Sequence, residues 1–393
     1  MSAKPSVIII GGGIGGLFAA NALIAKGLTV TVYEQAPQLG EIGAGVIVTP
    51  NSGRHLERLG MKPALEEYGA RFGGGSHYWR DDGSSIAPVQ VTDSSGDAAV
   101  YGMHRADFVA FLSAALPAGV VQTGQRCTDF TLEGDVARVT FVNGATAEAD
   151  VVIGADGTHS ELRPFVYPPS RPVFGESVAY RGLVPHERVP QWPNNIWQMW
   201  LGKGKHFLVF PVRAGTIINF VGFVPADAEM RESWSAPGDP DALRAEFAGW
   251  DPRIEGLLKQ VQHTFRSALY DREPMPVWTK GRLTLLGDAA HPMLPHLGQG
   301  ANQSIEDGMA LATILAHADR KSAPAALLAY EKLRRERVAE VQLGARRNGM
   351  RYDSAYTDIR QRDVEIAAHA NFRKTLYDHD VVPAAESAAA ELV

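Results

Sequence analysis

The sequence predicts an α/β protein in which a parallel-sheet domain is split along the chain by a β-rich domain, with helices at the C-terminus. Residues 7–33 are predicted to form strand, glycine loop, helix and strand, the unit from which parallel sheets are built. Residues 283–317 again give strand, glycine-rich loop and helix, whereas residues 179–270 contain mostly short alternating strands. A chain of 393 residues has room for about two to three domains.

The first unit has the spacing of a nucleotide-binding loop. The apolar residues 7–10 predict a strand, and Gly11, Gly13 and Gly16 follow it in a G-x-G-x-x-G pattern. Such glycines allow a tight turn, close approach of a pyrophosphate and close packing of helix on strand. The next strand ends at Glu34, about 20 residues on, where a carboxylate can accept from a ribose 2′-hydroxyl. The combination predicts a dinucleotide site for an adenosine ribose without a 2′-phosphate.

A second strand end is open to two interpretations. The apolar residues 151–154 predict a strand that runs into Asp156 and Gly157, with Ser160 and Arg163 just behind. This spacing is that of an ordinary capped helix start. It is equally compatible with a ligand-binding turn.

The stretch 283–302 has the pattern of an anion-binding loop. A strand at 283–286 leads to the turn residue Asp288, and the prolines within 292–295 exclude a helix there. Glycines within 298–300 precede a helix expected from Ala301 to about residue 317. The start of such a helix leaves backbone N–H groups free and carries positive dipole, which suits an electron-rich group. Taken alone, the stretch could also be an ordinary connection.

The remaining segments define the expected domains. The β-rich insert has predicted strands at 180–184, 196–201, 206–212, 216–223 and 265–270, helices at 241–247 and 253–260, and Trp192, Trp197 and Trp200 as core or pocket wall. The chain closes with predicted helices at 324–343 and 358–372 and a frayed or loosely helical tail at 383–393. The expected domains are 1–175 and 276–350 for the two parts of the parallel-sheet domain, 176–275 for the insert, and 351–393 for the C-terminal helix and tail. The cleft between the sheet domains is the expected ligand site.

Composition excludes several classes of function. A net charge of −6 argues against a general nucleic-acid binder. The single cysteine, Cys127, rules out an internal disulfide and fits a reducing cytoplasm. We expect no metal site, because no Cys/His cluster is present, and no signal peptide or membrane span, because no apolar run is long enough.

Four segments, taken in order, resemble one enzyme family. They are Gly11 to Gly16 with Glu34, Asp156-Gly157 with Ser160 and Arg163, Gly287-Asp288, and residues 295–301. Over about residues 5–350, the chain resembles the single-component, FAD-dependent aromatic hydroxylases of the p-hydroxybenzoate-hydroxylase-like fold. Within that family it is most similar to the branch of salicylate hydroxylase, 3-hydroxybenzoate 6-hydroxylase and 6-hydroxynicotinate 3-monooxygenase.

The resemblance implies a split, Rossmann-like FAD-binding domain and a set of FAD contacts. Glu34 would hold the adenosine ribose, Arg105 and Asp156 would lie near the pyrophosphate, and Asp288 would accept from the ribityl hydroxyls. The loop 298–302 would face the pyrimidine edge of the flavin, where the helix dipole stabilises reduced flavin. The full implied set is Gly11, Gly13, Ile14, Gly15, Gly16, Glu34, Gln35, Gly45, Val46, Arg105, Arg126, Asp156, Gly157, Asp288, Pro295, Gly298, Gly300, Ala301 and Asn302.

The resemblance also implies the chemistry. In such enzymes NADH or NADPH reduces the flavin, O₂ adds to it, and the resulting hydroperoxide delivers oxygen to an electron-rich ring. The site must exclude water and hold a base near neutral pKa. His206, at the start of a predicted strand, and His296, in the flavin loop, are the candidate catalytic residues. His291 is expected to be structural.

The substrate pocket is expected to be more apolar than in these relatives. Position 47 is Ile where the hydroxynicotinate enzymes carry His, and position 210 is Phe where hydroxybenzoate and hydroxynicotinate relatives carry Tyr. Arg181 could pair with flavin or a substrate carboxylate, or simply brace its strand. The expected substrate-binding residues are Ile47, Arg181, Phe210, Phe220, Pro295 and His296.

The leading hypothesis is a hydroxylase of a small aromatic acid or N-heterocycle. A flavin enzyme that epoxidises or oxidises a larger, non-aromatic or polycyclic metabolite is the alternative. A flavin- or nucleotide-binding regulatory subunit is the non-enzyme interpretation. The exact substrate, the choice between NADH and NADPH and the oligomeric state stay open, with a homodimer as one expected assembly.

Overall fold

The parallel sheet gathers the predicted motifs at one edge. A computed structural model describes residues 3–40, 44–226, 236–353 and 358–392. Its six-stranded sheet has the order β19 (Thr279–Lys280), β20 (Leu283–Leu285), β12 (Val151–Gly154), β1 (Ser6–Ile10), β2 (Thr29–Tyr33), β8 (Val121–Gln122). All neighbours are parallel except β19 and β20. The turns after β1, β2, β12 and β20 therefore meet at the carboxyl edge, the usual ligand edge of such sheets.

A second, eight-stranded sheet faces this edge. Its order is β17 (Ala236–Gly238), β18 (Thr264–Asp271), β13 (Val173–Pro185), β16 (Ile217–Pro225), β15 (His206–Val212), β14 (Gln198–Leu201), β5 (His77–Arg80), β6 (Ser85–Pro88). Six of these strands belong to the predicted insert, although β13 starts slightly before it. The strands β5 and β6 come from the segment 1–175, so the insert alone does not complete this sheet.

Two small sheets complete the β-structure. One has the order β11 (Thr146–Ala149), β10 (Val136–Phe141), β9 (Cys127–Glu133) and is antiparallel. The other has the order β3 (Gly45–Val48), β7 (Tyr101–His104), β4 (Ala70–Arg71). Contacts between β7 and β15 join the second small sheet to the eight-stranded sheet. Residues 45–47 therefore lie where the two larger sheets meet.

Helices fill the outer layers and the C-terminal part of the chain. They are α1 (Ile14–Ala25), α2 (Pro50–Arg58), α3 (Lys62–Tyr68), α4 (Arg105–Ala114), α5 (Arg163–Val166), α6 (Pro240–Glu246), α7 (Pro252–Leu258), α8 (Gly300–Leu315), α9 (Ala323–Asp353), α10 (Ile359–Ala368), α11 (Ala370–Tyr377) and α12 (Val382–Ala390). Among the described residues, no helix is both long and apolar enough to cross a membrane.

The C-terminal helices differ from the prediction. Helix α9 continues to Asp353, well beyond the predicted end at residue 343. The segment 358–372 is divided between α10 and α11. The tail is not frayed, because α12 packs on α8 and α9 with Ala385 and Ala389 fully buried. Small alanine side chains allow this close helix packing.

A buried ion cluster joins α8 to α9. The Arg334 guanidinium donates from Nη1 to Glu306 Oε2 at 2.5 Å and from Nε to Asp307 Oδ1 at 2.8 Å, and all three side chains are fully buried. Burial alone would raise the pKa of Glu306, but Arg334 and Arg337 hold that pKa far below its usual range. Asp307 also accepts from Gly287 N at 3.1 Å. The cluster thus ties the turn after β20 to two helices.

Replacing Arg334 by Met should strongly destabilise the protein, because Glu306 and Asp307 would lose their shared cation while staying buried. We expect the free energy of unfolding to fall by about 3–5 kcal/mol, measured by urea denaturation. Arg335→Met is the matched control: its side chain is 39% exposed, so the change should stay within about 0.5 kcal/mol. Equal stability of the two variants would contradict the role given to the cluster.

Candidate active site

In the glycine loop after β1, two glycines are required by the packing of the protein and one, Gly13, borders empty space. A Cβ at Gly11, where φ is +113°, would lie 2.2 Å from Ala155 O, and a Cβ at Gly16 would lie 2.0 Å from Gly11 O. The protein's own packing therefore requires both glycines. A Cβ at Gly13 would meet no protein atom within 4 Å. The space beside Gly13, at the start of α1, fits the close approach of a pyrophosphate.

Glu34 lies at the end of β2 in a fixed orientation. Its Oε2 accepts from Gly12 N at 2.7 Å and its Oε1 accepts from Ala36 N at 2.8 Å. These bonds hold the carboxylate against the glycine loop, while the neighbouring Gln35 is exposed. The position fits a partner for an adenosine ribose.

Arg163 joins two of the turns at this edge. Its Nη1 donates to Thr158 O at 2.9 Å, its Nη2 to Asp288 O at 2.8 Å, and its Nε to Ala289 O at 2.7 Å. The Ser160 hydroxyl accepts from Arg163 N at 2.9 Å, as in a capped helix start. Both observations support a structural role for this pair, which positions Asp288.

The Asp156 carboxylate bonds to backbone N–H groups at the far end of the loop that follows it. Its Oδ2 accepts from Glu161 N at 2.8 Å and from Leu162 N at 3.2 Å. Burial raises the pKa of this carboxyl despite these bonds. Arg126, predicted as a cofactor contact, lies at the surface, 58% exposed, with its Nη2 2.8 Å from Glu161 Oε1.

The loop before α8 presents its backbone to the cleft. Gly298 has a φ of +64°, and the first helical bond is donated by Gln303 N to Gln299 O at 2.8 Å. The N–H groups of residues 300–302 therefore point out of the helix end. The Asn302 side chain is used by the protein: its Nδ2 donates to Ile47 O at 2.9 Å and to Gly298 O at 2.6 Å. Only the Asn302 backbone can serve a ligand.

Two arginines and Asp288 meet beside this helix start. A Cβ at Gly300 would lie 3.7 Å from Asp288 Oδ1. Desolvation lowers the pKa of Arg105, and the nearby charge of Asp288 opposes that shift. Burial, followed by repulsion from Arg105, lowers the pKa of Arg181 to about 10. The cationic pair suits an anionic cofactor, and this donor set fits FAD.

A cavity lies between the loop before α8 and the eight-stranded sheet. Its empty volume, including the mouth, is about 500 Å³ and its wall is mostly apolar. The predicted residues Ile47, Pro295, His296, Gly298 and His206 all line it. The structure thus brings together the predicted flavin loop and both predicted catalytic histidines.

His206 forms a dyad with a carboxylate. The imidazole is fully buried, and its Nδ1 lies 2.5 Å from Asp353 Oδ1 at the end of α9. An ionised carboxylate only accepts, so Nδ1 carries the hydrogen and Nε2 offers its lone pair. No described group bonds to His206 Nε2. The ring stacks on Phe223, with 4.0 Å between ring centroids, and an oriented base therefore faces the cavity.

His296 is an uncharged neighbour of His206. The two ring centroids are 5.3 Å apart. Burial, followed by the proximity of His206, lowers the pKa of His296 to about 3. Its backbone oxygen accepts from Asn348 Nδ2 at 2.8 Å, and a Cβ at Gly349 would lie 2.6 Å from its ring. Helix α9 thus holds a neutral imidazole that can donate or accept one hydrogen bond.

Three predicted substrate contacts do not line the cavity. Phe220 packs on Phe207 on the other face of the sheet, because strand residues alternate sides, and Phe223 lines the wall instead. Phe210 lies on the cavity side but packs against Phe72, behind the wall. Arg181 donates from Nη1 to Ser267 Oγ at 2.6 Å, on the cofactor side. These placements correct the predicted pocket.

Gly45 and Val46 are used in β3 instead of lining the cavity. Gly45 N donates to Asn219 Oδ1 at 2.9 Å, and a Cβ at Gly45 would lie 2.7 Å from the Phe210 ring. The glycine thus lets β3 approach the eight-stranded sheet. His291, which was predicted to be structural, has its Nε2 2.6 Å from the buried Asp307 Oδ2.

The C-terminal helices supply site residues that were not predicted from the sequence. Asp353 and Tyr352 end α9, and Arg373 and Tyr377, both lining the cavity, lie on α11. The buried positions Ala345, Asn348, Gly349 and Tyr352 recur at helical spacing. That periodicity could have extended the predicted helix to Asp353. Within the described ranges, no group of three His, Cys, Asp or Glu side chains could hold a metal ion.

Comparison with known proteins agrees with this geometry. The profile of a family described as FAD binding domain matches residues 4–344. The 3-amino-4-hydroxybenzoate 2-monooxygenase PtnB3 of Streptomyces platensis is 37% identical over 390 residues, 97% of both chains. The 6-hydroxynicotinate 3-monooxygenase of Bordetella bronchiseptica is 35% identical over 352 residues, 87% of this chain and 91% of its own. A salicylate hydroxylase substrate complex superposes with a TM-score of 0.85, at 28% identity over 98% of both chains. These matches confirm the predicted resemblance.

The glycine loop can be tested with two matched substitutions. Gly13→Ala should leave the apoprotein folded, because the added Cβ meets no protein atom within 4 Å, but should weaken FAD binding by about tenfold or more, roughly 1.4 kcal/mol. Gly16→Ala should destabilise the fold itself, because its Cβ would lie 2.0 Å from Gly11 O. Thermal unfolding of the apoprotein and FAD titration by fluorescence quenching separate the two effects. Wild-type FAD affinity in Gly13→Ala would rule out the pyrophosphate position.

Proposed function

The chain belongs to the FAD binding domain family, and from this premise we propose that it hydroxylates a small aromatic acid, consuming O₂ and NADH or NADPH. It is a flavin-dependent monooxygenase, and FAD is its cofactor. The observation that carries the proposed substrate class is the His206–Asp353 dyad facing an apolar cavity beside the loop 298–302. The named substrates of the two relatives, an aminohydroxybenzoate and a hydroxynicotinate, are aromatic acids with a ring hydroxyl.

The dyad supplies a base for a ring hydroxyl. Asp353 fixes the imidazole tautomer and stabilises the imidazolium that forms when His206 Nε2 takes the proton. The phenolate left behind donates electron density into the ring, which makes a ring carbon more nucleophilic. When bound and reduced, FAD would supply the electrophilic oxygen atom together with O₂. Overall, one oxygen atom enters the ring, the other leaves as water, and the nicotinamide gives up a hydride.

The remaining wall positions the ring and excludes water. Ile47, Leu208 and Phe223 are apolar lining residues from three different strands. They favour a flat aromatic ring, and their apolar side chains offer water no hydrogen-bond partner. His296 stays neutral at physiological pH, since burial holds its pKa to about 3. It serves as a hydrogen-bond partner for the substrate and does not compete with His206 for the proton.

We also propose a cytoplasmic homodimer. The single cysteine, Cys127, is buried, which suits a reducing compartment. The C-terminal part of the chain exposes three large apolar side chains, Met350, Ile359 and Val364. A homodimer interface that covers these side chains would remove their apolar area from water.

A substrate panel tests the proposed function. Hydroxybenzoates, aminohydroxybenzoates and hydroxypyridine carboxylates are offered with NADH or NADPH, and nicotinamide oxidation, O₂ uptake and product are measured. We expect at least one aromatic acid to stimulate nicotinamide oxidation and to yield a product heavier by one oxygen. Stimulation only by larger non-aromatic or polycyclic compounds would support the alternative flavin oxygenase. No stimulation by any compound would support a regulatory protein.

The role of His206 as base has a pH signature. His206→Ala should lower hydroxylation by about 100-fold or more at neutral pH, with NADH oxidation then yielding hydrogen peroxide. Asp353→Asn should act in the same direction but less strongly. The rate of both variants should recover as pH rises towards the phenol pKa of the substrate, about 9–10, because the substrate then deprotonates unaided. His263→Ala, an exposed histidine of the same domain, is the control. A loss that does not recover with pH would refute the base role.

A further inference from the structure

Arg373 is a buried cation in the wall of the cavity. It lies on α11, is 9% exposed, and lines the cavity. Among the described lining residues it is the one with a permanent charge, since His206 and His296 are titratable and the others are neutral. A guanidinium in such surroundings needs hydrogen-bond acceptors and a counter-charge.

The described residues supply acceptors for Arg373 but no counter-charge. Arg373 Nη2 donates to Tyr78 OH at 2.7 Å and to Tyr352 OH at 3.4 Å, and Nη1 donates to Tyr377 OH at 3.3 Å. The guanidinium also lies 5.5 Å from the centroid of the Trp197 ring. No carboxylate of the described residues forms an ion pair with it, and its Nε has no hydrogen-bond partner there.

Tyr352 lies between Arg373 and the His206–Asp353 dyad. Its ring centroid is 5.2 Å from that of His206 and 6.4 Å from that of His296, while its hydroxyl accepts from Arg373. One phenol ring therefore spans the distance between the imidazoles and the guanidinium. His206 and Arg373 both line the cavity, so a substrate there can reach both ends if its two polar groups are on opposite sides of one aromatic ring.

We propose that Arg373 is the anion-binding subsite of the cavity and takes the carboxylate of the substrate. The inference rests on the proposed function and narrows it. With the carboxylate on Arg373, the ring hydroxyl that His206 deprotonates lies across the ring from the acid group. The site therefore selects aromatic acids with the hydroxyl para to the carboxylate over acids with adjacent groups.

Arg181, the arginine singled out from the sequence, does not fit this role. It is not among the lining residues, it bonds Ser267 and it shares its surroundings with Arg105 on the cofactor side. Arg373 is therefore the arginine that the cavity wall presents to a substrate. The fixed fork of Arg373 also suits a planar carboxylate better than a lysine would.

The test measures binding to the FAD-loaded protein, independent of turnover. The probes are 4-hydroxybenzoate, its neutral isostere 4-hydroxybenzamide, and salicylate, whose two groups are adjacent. Dissociation constants come from the change in flavin absorbance and from calorimetry. Wild type should bind 4-hydroxybenzoate about 10- to 150-fold more tightly than the amide, and more tightly than salicylate.

Two variants assign this preference to Arg373. Arg373→Met should bind the acid and the amide equally, with the amide affinity near that of wild type. Arg373→Lys should keep part of the preference. Arg360→Met, which removes an exposed arginine of α10, is the matched control and should keep all of it.

The outcomes separate this inference from the proposed function. Equal binding of acid and amide by wild type, or no binding of the acid, overturns the subsite even if Arg373→Met fails to fold. An unchanged preference in Arg373→Met also overturns it. If the preference follows Arg373 but no aromatic acid is hydroxylated, the subsite stands and the proposed function fails.

Discussion

The buried contact of Arg334 with Glu306 and Asp307 sets the geometry of both halves of the active site. Helix α8 carries the free N–H groups of the flavin loop at one end and the two carboxylates further along. Asp307 also holds Gly287 N, which fixes the turn that presents Asp288. Arg334 belongs to α9, whose last residue is Asp353. One guanidinium thus links the placement of the cofactor loop to that of the histidine dyad.

Charge is divided between two compartments. The cofactor side contains Arg105, Arg181 and Asp288, so it combines a positive field with one acceptor for hydroxyl groups. Among the described residues, the cavity wall is mostly apolar and contains one cation, Arg373, and one oriented base, His206. In a low-dielectric wall each of these groups acts strongly, because few waters screen it. The cavity therefore suits a substrate that has both an anionic group for Arg373 and a hydroxyl group that can give a proton to His206.

Strand and helix periodicity explain which site residues could be predicted. His206 and Phe223 face each other across β15 and β16, and alternation then places Phe220 on the opposite face. Phe220 does not line the cavity, contrary to the prediction. Both faces of β16 carry apolar side chains, so the sequence pattern does not show which face borders the cavity. The glycine loops could be recognised from the sequence, since their backbone requirements leave few alternatives.

The sequence by itself determined the parts of this protein that depend on local backbone geometry: the glycine turns, the strand that ends at Glu34, the turn at Asp288 and the helix starting near residue 300. Short spacings encode these features, because a tight turn or a free helix end needs particular residues at adjacent positions. Only the tertiary structure decided which distant side chains meet. Asp353 reaches His206, and Arg373 reaches the cavity wall, because α9 and α11 pack against residues of the eight-stranded sheet. Packing of this kind leaves no local pattern in the chain.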